Sequence, residues 1–102
     1  MHPVVFGSAA RADILEAVDW YRARAPSLAE RFVAEIDAAV TRMAANPQQF
    51  PVVFRDVRRA RLRRFPYGLF FRIEDAGIFV LACFHGSRDP RRWAARGRTT
   101  RP

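Results

Sequence analysis

With 102 residues, half of them hydrophobic and nine of them Phe, the chain has the size of one domain around one core, and a disordered body is excluded. All 18 cations are arginine and they are unevenly spread: residues 1–50 set five against six carboxylates, whereas residues 51–102 set thirteen against four, so the net charge of +8 is carried as +9 by the second half. Charge concentrated in this way attracts polyanions, nucleic acid or an acidic protein segment, and no apolar run reaches the roughly 20 residues of a bilayer span.

In chain order, Met1–Phe6 lacks the basic and long apolar regions of a signal peptide, so a cytoplasmic location without membrane contact is expected. Pro3–Phe6 is short, apolar and closed by Gly7, which reads as an opening strand. Ser8 stands where a helix N-cap belongs, and Ala10, Ile14, Val18 and Tyr21 recur near helical spacing. That helix should end before Pro26, because proline disfavours helical geometry in the residue preceding it. Ser27–Glu30 reads as a capping box for a second helix, with an apolar stripe through Leu28, Ala29, Phe32, Ile36, Ala39, Val40 and Met43. Asn46-Pro47 ends it. So short a break between the helices forces an antiparallel hairpin.

From Val52 the period changes. Arg59-Ala60-Arg61-Leu62-Arg63 alternates and reads as a strand with its arginines on one side; Phe65–Gly68 is turn-like. Leu69–Glu74 and Ile78–His85 read as strands joined at Asp75-Ala76-Gly77. The register follows from burial cost. If Tyr67, Leu69, Phe71, Ile73, Ile78, Val80, Ala82 and Phe84 meet the helices, then Phe70, Arg72, Glu74, Phe79, Leu81, Cys83 and His85 lie on the opposite face. A slip by one residue buries Arg72 or His85 instead, which is costly, although a three-residue loop with a glycine bulge would favour it.

The face away from the helices is thus expected to expose Phe70, Phe79 and Leu81 among Arg61, Arg63, Arg72 and His85. An exposed apolar cluster ringed by charge marks a partner site. Cys83, the single cysteine, excludes an internal disulfide, fits a reducing compartment and reads as a buried spectator. No Cys/His spacing suits zinc and no glycine-rich phosphate loop occurs, so neither metal nor cofactor is expected. After His85, Gly86 and Asp89-Pro90 favour a turn that leads into Arg92, Trp93 and Arg96. Residues 1–96 form the expected domain, and 97–102 a disordered tail.

In order and spacing, the following motifs resemble the RelE/ParE superfamily of type II toxin–antitoxin toxins, and its ParE, or plasmid-stabilisation, branch most closely. They are Ala10-x-x-Asp13-Ile14-x-Glu16, Phe32–Ile36–Met43, Asn46-Pro47-x-x-Phe50-Pro51, Arg58-Arg59, Phe65-Pro66-Tyr67, Phe71-Arg72-Ile73 and His85-Gly86-Ser87-Arg88-Asp89-Pro90-x-x-Trp93. The likeness runs over about residues 3–96. It implies an α+β fold in β-α-α-β-β-β order, with a helical hairpin packed on one face of the sheet. It also implies an antitoxin whose acidic, partly disordered segment wraps the toxin, here across Phe70, Arg72, Phe79 and Leu81. The implied target is DNA gyrase, met by Arg61, Arg63, Arg72, His85, Arg88, Arg92, Trp93 and Arg96.

The superfamily's other branch implies ribosome-dependent mRNA cleavage, for which His85, Arg72, Arg61 and Arg88 are the candidate residues. Metal-free cleavage needs a base, an acid and cations for the phosphorane. Here no lysine exists, no Tyr follows Tyr67, and Glu74 is the single carboxylate on the expected face. The gyrase reading is therefore favoured. A basic nucleic-acid-binding module and an inactive relic of the toxin fold stand as further readings.

Overall fold

A computed structural model of the chain describes residues 1–86. The elements are β1 (Val4–Phe6), α1 (Ser8–Arg24), α2 (Pro26–Ala45), a 3-10 turn (Pro47–Gln49), β2 (Val52–Phe54), β3 (Val57–Arg61), β4 (Tyr67–Glu74) and β5 (Gly77–His85). One five-stranded sheet runs β1-β5-β4-β3-β2, in which β1 is parallel to β5 and every other pair is antiparallel. The α+β order expected from the sequence is present, with β2 as an added edge strand. Among the described residues no helix is long and apolar enough to cross a membrane.

The helices turn about a single extended residue, Ala25 (φ −164°, ψ 127°), whose N–H donates to Tyr21 O. The expected capping box is not formed. Ala25 is the N-cap, Pro26 opens α2, and Ser27 already lies inside the helix. Proline at the first position has no N–H to satisfy, and the Leu28 N–H donates to Ala25 O at 2.9 Å. Ser8 is likewise the first helical residue of α1 rather than its cap, which is Gly7.

Both helices lie on one sheet face. Small residues of α1 (Ala10, Ala17) let it approach β5 closely, while α2 buries Phe32, Ile36, Ala39 and Met43. Phe32 is fully buried, and its ring meets those of Tyr21, Phe65 and Tyr67 at centroid distances of 5.2, 5.2 and 5.3 Å. This aromatic knot pins the hairpin to the β3–β4 connection. At the other end β1 reaches β5 across Gly77, where the Ile78 N–H donates to Pro3 O at 2.8 Å. A Cβ on Gly77 would lie 2.5 Å from that same oxygen, and its φ of 142° favours glycine independently.

The hairpin register is half as expected. Next to the turn, Phe71, Arg72, Ile73 and Glu74 oppose Val80, Phe79, Ile78 and Gly77, as the burial argument requires. Between Phe70 and Phe71 the register shifts, leaving Leu81 as an extra residue of β5. Beyond this bulge the sides of β5 exchange. Cys83 joins the core beneath the helices, and Ala82 and Phe84 face away with Phe70 and Leu81. His85, opposite Tyr67, therefore lies on the helix side and not on the far face.

The far face also departs from expectation in its exposure. Phe70 (6% exposed), Leu81 (0%) and Phe84 (2%) are buried in a second apolar cluster with Val57 and Ala82. Val53 and Phe54 of the unforeseen β2 pack against it, and Arg59 and Arg72 are themselves half-buried. The sheet has apolar layers on both sides, and the charged groups border the second one.

Candidate functional site

Pleating sorts the arginines of β3. Arg58 opposes Phe71 and faces the helix side, where its guanidinium donates to Phe50 O at 2.7 Å and Gln48 O at 3.3 Å. It anchors the turn after α2. Arg59 and Arg61 oppose Phe70 and Gly68 and face the other way. The stem of Arg59 passes over Gly68 so closely that a Cβ there would stand 3.1 Å from Arg59 Cγ. An alanine at this position would press the arginine stem aside by a few tenths of an ångström. Arg59 Nε is buried and has no hydrogen-bond partner among the described residues, whereas Arg61 is exposed.

A cavity of about 300 Å³ opens at this end of the sheet, lined by Arg59, Arg61, Leu62, Phe65, Pro66, Tyr67, Gly68, His85 and Gly86. Among the described residues no carboxylate lines it. The backbone around it is tied from several sides. Arg42 Nη2 donates to Arg61 O (3.4 Å) and the Arg63 N–H donates to Glu35 Oε1 (3.1 Å), both links reaching from α2. Leu62 N–H donates to Tyr67 O (2.9 Å) and Gly86 N–H to Pro66 O (2.8 Å). The arginines therefore project from a fixed frame.

The residues singled out by sequence divide into groups. Arg61 and His85 meet at the cavity, where the His85 ring stands edge-on to Tyr67 with centroids 5.6 Å apart. Arg63 is exposed in the connection behind them. Arg72 lies on the opposite face from His85, five residues along β4 from Tyr67, or about 17 Å at strand rise. Its Nε is 3.9 Å from Glu74 Oε2. Phe79 is half-buried, while Phe70 and Leu81 are interior. Arg88, Arg92, Trp93 and Arg96 lie outside the described residues.

Two participants were missed from sequence. Arg59 shares the alternation that singled out Arg61, so its parity was a usable signal. Asp13, on α1, accepts the Cys83 N–H at 3.0 Å, a contact no spacing rule announces. Asp13 also lines a groove of about 430 Å³ with Glu16, Trp20, Tyr21, Tyr67 and His85. Burial, and then the Asp13 charge, push the Cys83 thiol up to about 12, so at neutral pH it is protonated and a poor nucleophile. Burial raises the Tyr21 hydroxyl too, helped by Tyr67.

A helical hairpin on one sheet face, with a cationic cavity at the sheet's end, defines a small basic α+β domain. Residues 4–90 match the family described as the ParE toxin of type II toxin–antitoxin system, parDE. The chain is 33% identical over 79 residues to Toxin ParE2 of Mycobacterium tuberculosis, in strains CDC 1551 / Oshkosh and ATCC 25618 / H37Rv alike, covering 76% of this chain and 75% of that protein. Its fold is similar to a structure titled "Chromosomal ParDE TA system from P. aeruginosa" (TM-score 0.73, 25% identity, 83% of this chain and 96% of that one). The chain belongs to the ParE family of type II toxin–antitoxin toxins. Membership implies an antitoxin partner.

Proposed function

We propose that the chain arrests growth by binding and inhibiting DNA gyrase in the cytoplasm, and that a cognate acidic antitoxin neutralises it. The observation that carries the choice of target is the separation of His85 from Arg72, on opposite faces and at opposite ends of β4. Metal-free RNA cleavage needs its acid, base and cations converging within hydrogen-bond reach of one phosphate. Of the candidate set, Arg61 and His85 border one cavity, but Arg72 stands far from them along β4, and the Cys83 thiol is held protonated. Arginines on a fixed frame suit recognition instead, with Arg61, Arg63 and His85 as the target-facing group. Arg72, Arg88, Arg92, Trp93 and Arg96 extend that group in the proposal.

For the antitoxin, we assign the border of the second apolar layer. There Phe79 and Arg72 are half-buried above Phe70 and Leu81, and Val5, which pairs with Phe79, is 59% exposed. An amphipathic acidic segment has both an apolar and a cationic surface to meet along that line.

Purified toxin, assayed with gyrase and supercoiled plasmid beside a ribosome-programmed mRNA, tests the target. Loss of supercoiling without mRNA cuts is expected. Unaltered gyrase together with cuts at codon edges would reverse the assignment in favour of the ribosome.

A further inference from the structure

We infer that the connection between β3 and β4 is a docking site for the phosphate backbone of a nucleic-acid duplex, met by Arg61, Arg63 and Arg64. This goes beyond the gyrase reading and does not depend on it, because the duplex alone is the ligand.

These three cations are uncommitted. Their side chains are exposed, and none makes a hydrogen bond or ion pair among the described residues. By contrast, Arg22 pairs with Asp19, Arg24 lies over the Trp20 ring, Arg58 holds two carbonyls and Arg72 stands beside Glu74. Glu35, the carboxylate that touches the connection, accepts the Arg63 backbone N–H at 3.1 Å and pairs with no guanidinium among the described residues. The backbone that carries the three is also fixed. Leu62 N–H donates to Tyr67 O (2.9 Å), Arg42 Nη2 donates to Arg61 O (3.4 Å), and the Phe65 ring meets those of Tyr21 and Phe32 at centroid distances of 5.0 and 5.2 Å. A connection held at its ends and its middle loses little freedom on binding, so its guanidinium forks are ready to meet phosphates through paired donors.

The distribution of exposed apolar surface decides which polyanion fits. Among the described residues the large hydrophobics left exposed are Met1, Val5, Leu15, Trp20, Val33 and Val52, and none follows Val52. A protein partner draws affinity from an apolar centre inside a polar rim. A nucleic-acid interface is more polar and strongly positive, with half or more of its hydrogen bonds made to phosphate and sugar. The connection offers charge without exposed apolar surface. An acidic protein segment finds both together along Val5, Phe79 and Arg72 instead, at the other end of β4. A duplex suits fixed cations better than a single strand does, because its phosphates form a stiff ladder with about one charge per 1.7 Å of axis.

The test is fluorescence anisotropy of the full-length toxin with a short labelled DNA duplex across a salt series, with the matching RNA duplex, the single DNA strand and oligoglutamate of equal charge as competitors. The comparison proteins are Arg63→Gln/Arg64→Gln and the charge-matched control Arg11→Gln/Arg55→Gln, whose arginines are equally exposed but lie on α1 and in the β2–β3 turn. Loss of two phosphate contacts should lower the salt slope by about 1.8 and weaken binding at about 0.1 M salt by roughly sixtyfold, with the control near wild type. Arg61→Gln alone should lower the slope by about 0.9. The Arg63 substitution keeps the backbone N–H that Glu35 accepts, so melting temperatures should match wild type, which separates site loss from unfolding. DNA and RNA duplexes competing alike assign the phosphate ladder as ligand; a preference for either adds recognition of groove shape. Equal slopes for the two double variants would overturn the inference, because binding would then follow net charge and not this connection. So would the single strand or oligoglutamate displacing the labelled duplex at a lower concentration than unlabelled duplex does. No gyrase is present, so the outcome stands apart from the choice of target.

Discussion

The Asp13 carboxylate accepts the backbone N–H of Cys83 at 3.0 Å, joining α1 to β5 across 70 positions of sequence. The reason lies in strand length. β1 makes its last bond where the Gly7 N–H donates to Val80 O, yet β5 continues to His85. Past that point the β5 edge has no strand beside it among the described residues, and Asp13 stands in for one. Asp13→Ala should therefore cost about 1–3 kcal/mol, the penalty of an unmet amide, whereas Asp13→Asn keeps an acceptor and should lose less. Urea unfolding of the three proteins gives the comparison.

Burial of Cys83, and after it the charge of Asp13, sets a pH dependence. Cys83 has a folded-state pKa pushed up to about 12 from an ordinary value of 9.0, so in alkali the unfolded chain gives up its proton first. The stability contributed is whole below about pH 9 and is lost as pH rises through the folded value. Denaturant midpoints from pH 8 to 11 should fall for wild type more steeply than for Cys83→Ala. Parallel curves would contradict it. Replacing Asp13 by Asn should bring the thiol's alkylation profile to lower pH without restoring ordinary reactivity, because burial is the larger cause.

Arg55, in the two-residue turn between β2 and β3, has φ 53°, the one non-glycine positive φ among the described residues. Left-handed backbone costs an L-residue roughly 1–2 kcal/mol, and glycine gives back part of that through its own entropy. Arg55→Gly is expected to stabilise by about 0.5–1 kcal/mol, read as a rise in melting temperature. A fall would mean that the Arg55 guanidinium over the Phe54 ring, 5.2 Å away, outweighs the strain.

His85→Ala distinguishes the two targets at the bench. A general acid or base contributes about 10²–10⁴-fold, so a ribonuclease should lose at least a hundredfold. A gyrase inhibitor should lose much less, since the ring contributes one contact beside Tyr67. Dose–response curves for supercoiling inhibition and for growth arrest provide both readings.

Much of the fold was legible because its signals are periodic. Phe32, Ile36 and Met43 mark the buried stripe of α2, and Arg72 forced the correct sides near the turn. The bulge was hidden because Leu81-Ala82-Cys83-Phe84 is apolar throughout: with no polar residue to alternate, either parity reads alike. β2 escaped notice because three residues after a proline carry no period at all. Ser27 and Glu30 matched a cap pattern, but the helix starts before them, at Pro26. At the site, the side taken by Arg61 was legible from strand parity, whereas for His85 only its position at the end of β5 was, because the bulge reversed its side. Arg58 and Arg59, adjacent in sequence, turned out to serve opposite faces, one holding a turn and one entering a cavity. That division depends on sheet pleating, which a pair of identical letters does not reveal.

β1 finds its sheet neighbour in β5, and the cavity draws its walls from β3, β4 and the end of β5. During synthesis, then, the opening strand must wait until its partners in β5, 74 positions further along the chain, have left the ribosome before it has an edge to zip onto. Only at that late moment do His85 and Gly86 arrive to complete the arginine end. The arginine end is consequently the last part of the described fold to close, after both helices and every other strand have been made.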